Sequence, residues 1–252
     1  MKKYIILLCF YFITVCTFGQ SKIKTHNASS WTVLSTDMRF NHNIGVHFDA
    51  QLRLSDFVTT MQQVFIRPGL NFYLNDKMFF NVSYLYLETF PYGKFPAKTK
   101  YPEHAIWESF NVKSKHKMFE WIARFQLEQR FIKVPIAKDS INYIVGDAVF
   151  SNRLRILNRL SIPFKGQDIV DNSFYFTVFD ELFINFGKNV SKNLFDQNRT
   201  FIGVGYKIPK LGRLEVGYMA QTILKADAIK MENNHILQIA LFSNLDFRKK
   251  KE

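Results

Sequence analysis

Gly45-Val46-His47-Phe48-Asp49-Ala50-Gln51-Leu52-Arg53-Leu54-Ser55 alternates apolar and polar residues without a break. In an extended strand successive side chains point to opposite sides. Val46, Phe48, Ala50, Leu52 and Leu54 therefore share one face, and His47, Asp49, Gln51 and Arg53 share the other. The pattern returns in 199–208, where Ile202, Val204, Tyr206 and Ile208 oppose Arg199, Gly203, Gly205 and Lys207. In 212–223, Leu214, Val216, Tyr218 and Ala220 oppose Arg213, Glu215, Gly217 and Gln221. Within 117–131, Ile122, Arg124, Gln126, Glu128 and Arg130 oppose Trp121, Ala123, Phe125, Leu127 and Phe131.

Working outward, the same period marks strands at 31–40, 45–55, 61–74, 77–88, 104–114, 117–131, 149–162, 173–187, 199–208, 212–223 and 235–247. Most are about twice the usual soluble length of about 5–6 residues and match the roughly 9–11 residues of a membrane-crossing strand. Short turns at 41–44, 75–76, 114–117 and 209–212, and a longer one at 165–172, alternate with polar loops at 89–103, 132–148, 188–198 and 224–234. Short periplasmic turns alternating with long outer loops belong to an outer-membrane barrel. These segments number eleven, whereas single-chain bacterial barrels have an even count. Residues 21–30 are therefore expected to add a twelfth strand, with ten as the fallback if a hairpin is misread.

A soluble sandwich alternates too, with its apolar face inward, and the choice of cation decides between them. Ten of the 11 Arg (39, 53, 67, 124, 130, 153, 155, 159, 199 and 213) fall on polar faces of strands, while the 23 Lys keep mainly to loops, turns and termini. A confined interior favours Arg, whose planar fork pairs bidentately with carboxylates. Asp37, Asp49, Glu120, Glu128, Glu181 and Glu215 lie on the same faces. The expected interior network is Asp49, Arg53, Arg67, Glu120, Arg124, Glu128, Arg130, Arg153, Arg155, Arg159, Glu181, Arg199, Arg213 and Glu215. The apolar faces would meet lipid, with Tyr84, Tyr86, Trp121, Tyr206 and Tyr218 as candidates for interfacial girdles. Asp180 conflicts with this, because it sits in the apolar register of its strand, where a bulge or a rim position would be needed.

Composition agrees. The 252 residues suit one large domain or two small ones, and 47% hydrophobic residues exclude a disordered chain. A mean hydropathy of −0.11, with no long apolar run beyond the N-terminus, excludes a polytopic helical protein. Lys2 and Lys3 precede an apolar run from Tyr4 to Val15, and Thr17 and Gly19 place small residues before a cut at Gln20. That is a cleaved signal peptide at 1–19. It would be followed by an N-terminal segment or short extra strand at 20–30, an outer-membrane barrel at 31–247 and a basic tail at 248–252. Cys9 and Cys16 both lie in the leader, so the mature chain would have neither a disulfide nor a thiolate ligand. The formal charge of +13 and export place the expectation in a Gram-negative envelope.

Phe195-Asp196-Gln197-Asn198-Arg199, Gly203-Val204-Gly205-Tyr206 and Glu215-Val216-Gly217-Tyr218-Met219-Ala220-Gln221 resemble the final hairpin of an uncharacterised outer-membrane β-barrel family, domain of unknown function 2490. Arg67-Pro68-Gly69-Leu70, Leu127-Glu128-Gln129-Arg130, Arg153-Leu154-Arg155 and Glu181-Leu182-Phe183 extend the likeness. The resemblance implies an outer-membrane barrel and carries over no catalytic residue.

Chemical motifs are sparse. The six His (26, 42, 47, 104, 116 and 235) show no metal-ligand spacing, and no nucleophile elbow or phosphate-cradling loop occurs. Ser114 and His116 could share a face as a nucleophile and base, but they sit in a lysine-flanked turn. Nucleic acid is disfavoured, because it needs a contiguous basic surface with aromatic platforms. No cofactor is expected. The interior charge set reads first as a salt-bridged filling and second as an anion-attracting lining, since ten Arg and Lys207 outnumber the six carboxylates. The expected architecture is an antiparallel, up-and-down transmembrane β-barrel of about 10–12 strands. It is expected to be a porin-like monomer in contact with outer-membrane lipid and lipopolysaccharide, structural or passing small solutes. An outer-membrane enzyme acting on lipid or lipopolysaccharide is the rival, and a secreted glycan-binding sandwich comes third.

Overall fold

The computed structural model describes residues 22–190 and 192–248. The expected leader and the last four residues of the basic tail lie outside them. Eleven strands follow one another: β1 (Ile23–Arg39), β2 (Ile44–Ser55), β3 (Thr60–Tyr73), β4 (Met78–Thr89), β5 (Tyr101–His116), β6 (Phe119–Ala137), β7 (Tyr143–Pro163), β8 (Phe174–Phe186), β9 (Phe195–Ile208), β10 (Gly212–Leu224) and β11 (Lys230–Asp246). Each pairs antiparallel with its sequence neighbours, and β1 closes onto β11 to complete a barrel. Among the described residues no helix is long and apolar enough to cross a membrane, which says nothing of a β-barrel.

The strand count corrects the expectation of twelve or ten. An odd chain of hairpins leaves its first and last strands pointing the same way. The closing ladder is therefore parallel, running from Ile23↔Lys230 to Arg39↔Asp246, and the barrel is mixed rather than wholly antiparallel. Residues 23–30 are not a separate strand. They extend β1 with no turn before Trp31, and from 23 to 28 they pair with β11 alone. Without that parallel ladder two sheet edges, on β1 and on β11, would keep their amide and carbonyl groups unpaired.

Connections at one end are Phe40–Asn43, Leu74–Lys77, Lys117–Met118, Phe164–Ser173 and Pro209–Leu211; at the other they include Asp56–Thr59, Phe90–Lys100, Lys138–Asn142 and Lys225–Ile229. The expected loop at 132–148 shrinks to five residues, because β6 and β7 continue as a long hairpin. Three register shifts interrupt the ladders. A bulge inserts an extra residue and re-aims its side chain. Here the extra residues include Gln62 on β3 and Asp196 on β9, and both turn into the barrel.

The faces alternate as read. Leu34, Leu52, Ile66, Phe80, Ile106, Phe125, Val204, Val216 and Ile239 are exposed on the outside. Asp49, Arg53, Arg67, Gln126, Glu128, Arg153, Arg155, Glu181 and Glu215 are buried inside. Aromatic rings share that interior, with Trp31, Phe179, Phe201, Met219 and Ile236 in one cluster and Phe65, Leu85, Ala105 and Trp107 in another. Inward glycines make room for them. A Cβ on Gly203 or Gly217 would run into the Phe201 ring, and one on Gly205 into Tyr175.

Asp180 does face outward, and no bulge relieves it, since the nearby shift lies at Phe183/Ile184. Its carboxylate instead accepts hydrogen bonds from Asn198 (3.0 Å) and Thr200 (2.8 Å) on β9. The polar run continues around the wall. Thr222 donates to Asn233, and Tyr218, His235 and His26 stand in hydrogen-bond contact in line.

Candidate functional site: the charged interior

The alternation of β6, β7 and β8 projects Arg124, Glu128, Arg153, Arg155 and Glu181 toward one another. Glu128 is 0% exposed. It accepts from Arg153 at 2.6 Å, Arg155 at 2.7 Å and Gln126 at 2.7 Å. Arg153 also holds Asp196 at 2.6 Å, and Arg155 also holds Glu181 at 2.8 Å. Arg124 closes on Glu181 at 2.7 Å. The result is a line of alternating charge, Asp196–Arg153–Glu128–Arg155–Glu181–Arg124, across four adjacent strands. Buried charges are tolerable only when paired and hydrogen-bonded in this way.

Further pairs cross the interior as chords. Arg213 of β10 reaches Glu120 of β6 with two hydrogen bonds of 2.7 and 3.1 Å, and Arg159 of β7 reaches Glu215 of β10. Glu215 also accepts from Tyr175 at 2.7 Å. Arg67 pairs with Asp49 at 3.0 Å, and Arg130 grips Glu103 with two donors, Nε and Nη2, at 2.6 and 2.7 Å. Aromatic faces support the guanidinium planes, an attraction of cation for π-cloud. The buried Phe183 ring carries Arg153, Arg155 and Arg199, and Trp107 carries Arg67 and Arg155.

All fourteen residues of the sequence-derived network thus face one interior. Arg39, the outlying member of the Arg set, lies at the end holding Leu74–Lys77, where it pairs with Asp76. Glu103, Asp196 and Glu232 fall in loops on the sequence alone. The strands run past those loop limits and carry all three into the interior, Glu232 meeting Lys225 at 2.7 Å. A period-two extension of each strand would have found Glu103 and Glu232. Asp196 depends on a bulge and has no local signal.

Cavities remain between these pairs, two of them adjoining. The larger, about 420 Å³, is lined by residues such as Asp37, Lys113, Arg213 and Asn244 near one end and Arg53 and Arg199 in the middle. The smaller, about 110 Å³, lies toward the other end among Gln63, Thr89, Tyr101, Gln221 and Ile223. Tyr92, from the loop between β4 and β5, also lines it. Trp31, Arg53, Leu87, Arg153 and Arg199 line both cavities, so these five mark the septum where the two adjoin. Trp31 is fixed there by an indole N–H donated to Gln62 at 3.0 Å.

Two arrangements bear on catalysis. Ser114 and His116 are in contact at 3.2 Å, but in an exposed position at the end of β5. His47 Nδ1 lies 2.8 Å from Asp37 Oδ1, and its buried Nε2 has no hydrogen-bond partner. Among the described residues no group of three or more His, Asp or Glu could hold a metal ion.

No curated relative and no solved structure matches the chain. A family model, described as Protein of unknown function (DUF2490), matches residues 28–232, from β1 through the start of β11. That match spans most of the barrel, including the glycine-bearing β9–β10 hairpin and the guanidinium–carboxylate line of β6 to β9, and the chain belongs to this DUF2490 family.

Proposed function

We propose that the chain spans a Gram-negative outer membrane and admits small anionic solutes to a narrow, side-chain-filled interior, without catalysing a reaction. The inverted burial supports the membrane reading. Charged and amide side chains fill the inside, while Leu, Ile, Val and Phe line the outside, a distribution that water would reverse. An exposed apolar surface of that extent is foreign to a soluble monomer. The leader-like N-terminus points the same way.

One observation carries the solute reading. Arg53, Arg153 and Arg199 put positive charge where two interior cavities adjoin. Anions would be drawn in, and bulky solutes would be refused. Two measurements test this. The protein should fractionate with outer membrane and need detergent for extraction; recovery as a soluble periplasmic protein would end the membrane reading. In planar bilayers under a potassium chloride gradient, the reversal potential should show anion preference at low conductance. Cation preference, or silence from correctly folded protein, would end the reading of anion passage.

An enzyme acting on envelope lipid is the second reading, favoured by His47 alone. Held by Asp37 with Nε2 free, it has the orientation of a general base. Among the described residues, however, no hydroxyl hydrogen-bonds to that nitrogen. Altered lipid in a deletion strain, restored by the wild type but not by a His47→Gln variant, would support it.

A further inference from the structure

We infer that Arg53 and Arg199 form a binding site at the septum for the oxyanion group, carboxylate or phosphate, of a small solute. The inference deepens the anion reading above and rests on it for delivery of the ligand.

Every other Arg of the interior network has a close carboxylate. Arg53 is different. It is 6% exposed, and among the described residues its hydrogen bonds go to neutral amides alone, Gln51 at 2.6 and 3.1 Å and Gln63 at 2.6 Å. Arg199 meets Gln197 at a long 3.4 Å and Glu181 only at 3.9 Å, and its Nε is buried with no partner. The oxygen of Gln197 is already held by Gln221 at 2.6 Å, and Glu181 by Arg124 and Arg155.

The two guanidinium carbons lie 4.0 and 5.0 Å from the Trp31 ring centre. They are therefore separated by no more than the sum of those distances. Both border the larger cavity, whose size is in the range of small-molecule pockets. Two buried like charges with no carboxylate at hydrogen-bond distance are unfavourable. An oxyanion would neutralise them and fill the open donors of the guanidinium fork.

The full chain, folded in detergent at low salt, is titrated by calorimetry with sodium benzoate and, separately, with inorganic phosphate. Saturable binding of at least one is expected, and the binding arm identifies the class of oxyanion. Arg53→Gln and Arg199→Gln should each weaken it by about tenfold or more, the loss of a charge-assisted contact, whereas Lys98→Gln should not. Without probe, each septum variant should unfold at the same temperature as wild type or higher, because an unpaired charge is gone. The probe should raise the unfolding temperature of wild type only. No saturable binding by folded wild type, equal binding by both variants, or displacement by chloride as effective as by the probe itself overturns the site. The titration needs no membrane and no flux. Binding without conductance would therefore sink the permeation reading and keep the site, and conductance without binding would do the reverse.

Discussion

Replacing Glu128 by Gln removes the central negative charge of the interior while keeping its shape. Glu128 has no exposure to solvent and accepts from Arg153, Arg155 and Gln126. Breaking a dry buried pair by deleting one partner costs about 3–5 kcal/mol. Here Arg153 keeps Asp196 and Arg155 keeps Glu181, so the low end, about 3 kcal/mol, is expected. For a chain of this size each kcal/mol moves the midpoint by about 2–4 °C, a fall of about 6–12 °C. Heat-modifiable gel mobility and thermal unfolding in detergent would measure it, with Lys98→Gln as the unaffected control. Adding Arg153→Gln should recover part of the loss, because the surplus positive charge goes too. An unchanged midpoint would refute the reasoning, since the carboxylate would then have to be screened by water. Unchanged stability with a shifted ion selectivity would make Glu128 part of a conducting lining instead.

Three further outcomes are expected. Cysteines placed singly at Lys98, Asp139 and Lys225, which share one end of the barrel, should react with an impermeant maleimide on intact cells, while Asp76 and Lys210 at the other end stay silent; the opposite pattern would invert the topology. Gly205→Ala should lower stability by about 1–3 kcal/mol, because its Cβ would fall 2.5 Å from Tyr175 Oη and disturb the bond to Glu215. Equal stability would show that the ring has space to move. Asp180→Val should raise the unfolding free energy by about 1 kcal/mol if that face meets acyl chains, and a fall would mean that the bonds from Asn198 and Thr200 outweigh desolvation.

The strands and their faces were legible because alternation is local. A residue's side of the sheet depends only on its parity along its own strand. The run 45–55, the Arg-bearing faces and the outward direction of Asp180 could all be read without knowing any partner. Hydropathy fails where both faces are polar, as around Lys24, His26 and Ser30. Alternation therefore becomes visible only from Trp31, and residues 21–30 read as a separate strand. At Glu103 and Glu232 the alternation fades into polar loops while the hydrogen-bond ladder continues.

What the tertiary structure alone decided is everything that depends on register between distant segments. Closure of β1 on β11 joins residues more than two hundred positions apart, and only the odd strand count makes that ladder parallel. The choice of Glu128 for Arg153, and of Glu120 for Arg213 across the barrel, follows from how strands are staggered. The bulge that brings Asp196 to Arg153 leaves no mark in local periodicity. Arg53 and Arg199 looked in the sequence like any other inward Arg. That they lack close carboxylates and meet at Trp31 became visible only once the other carboxylates had been claimed, because pairing in a confined interior is a competition among all its charges at once.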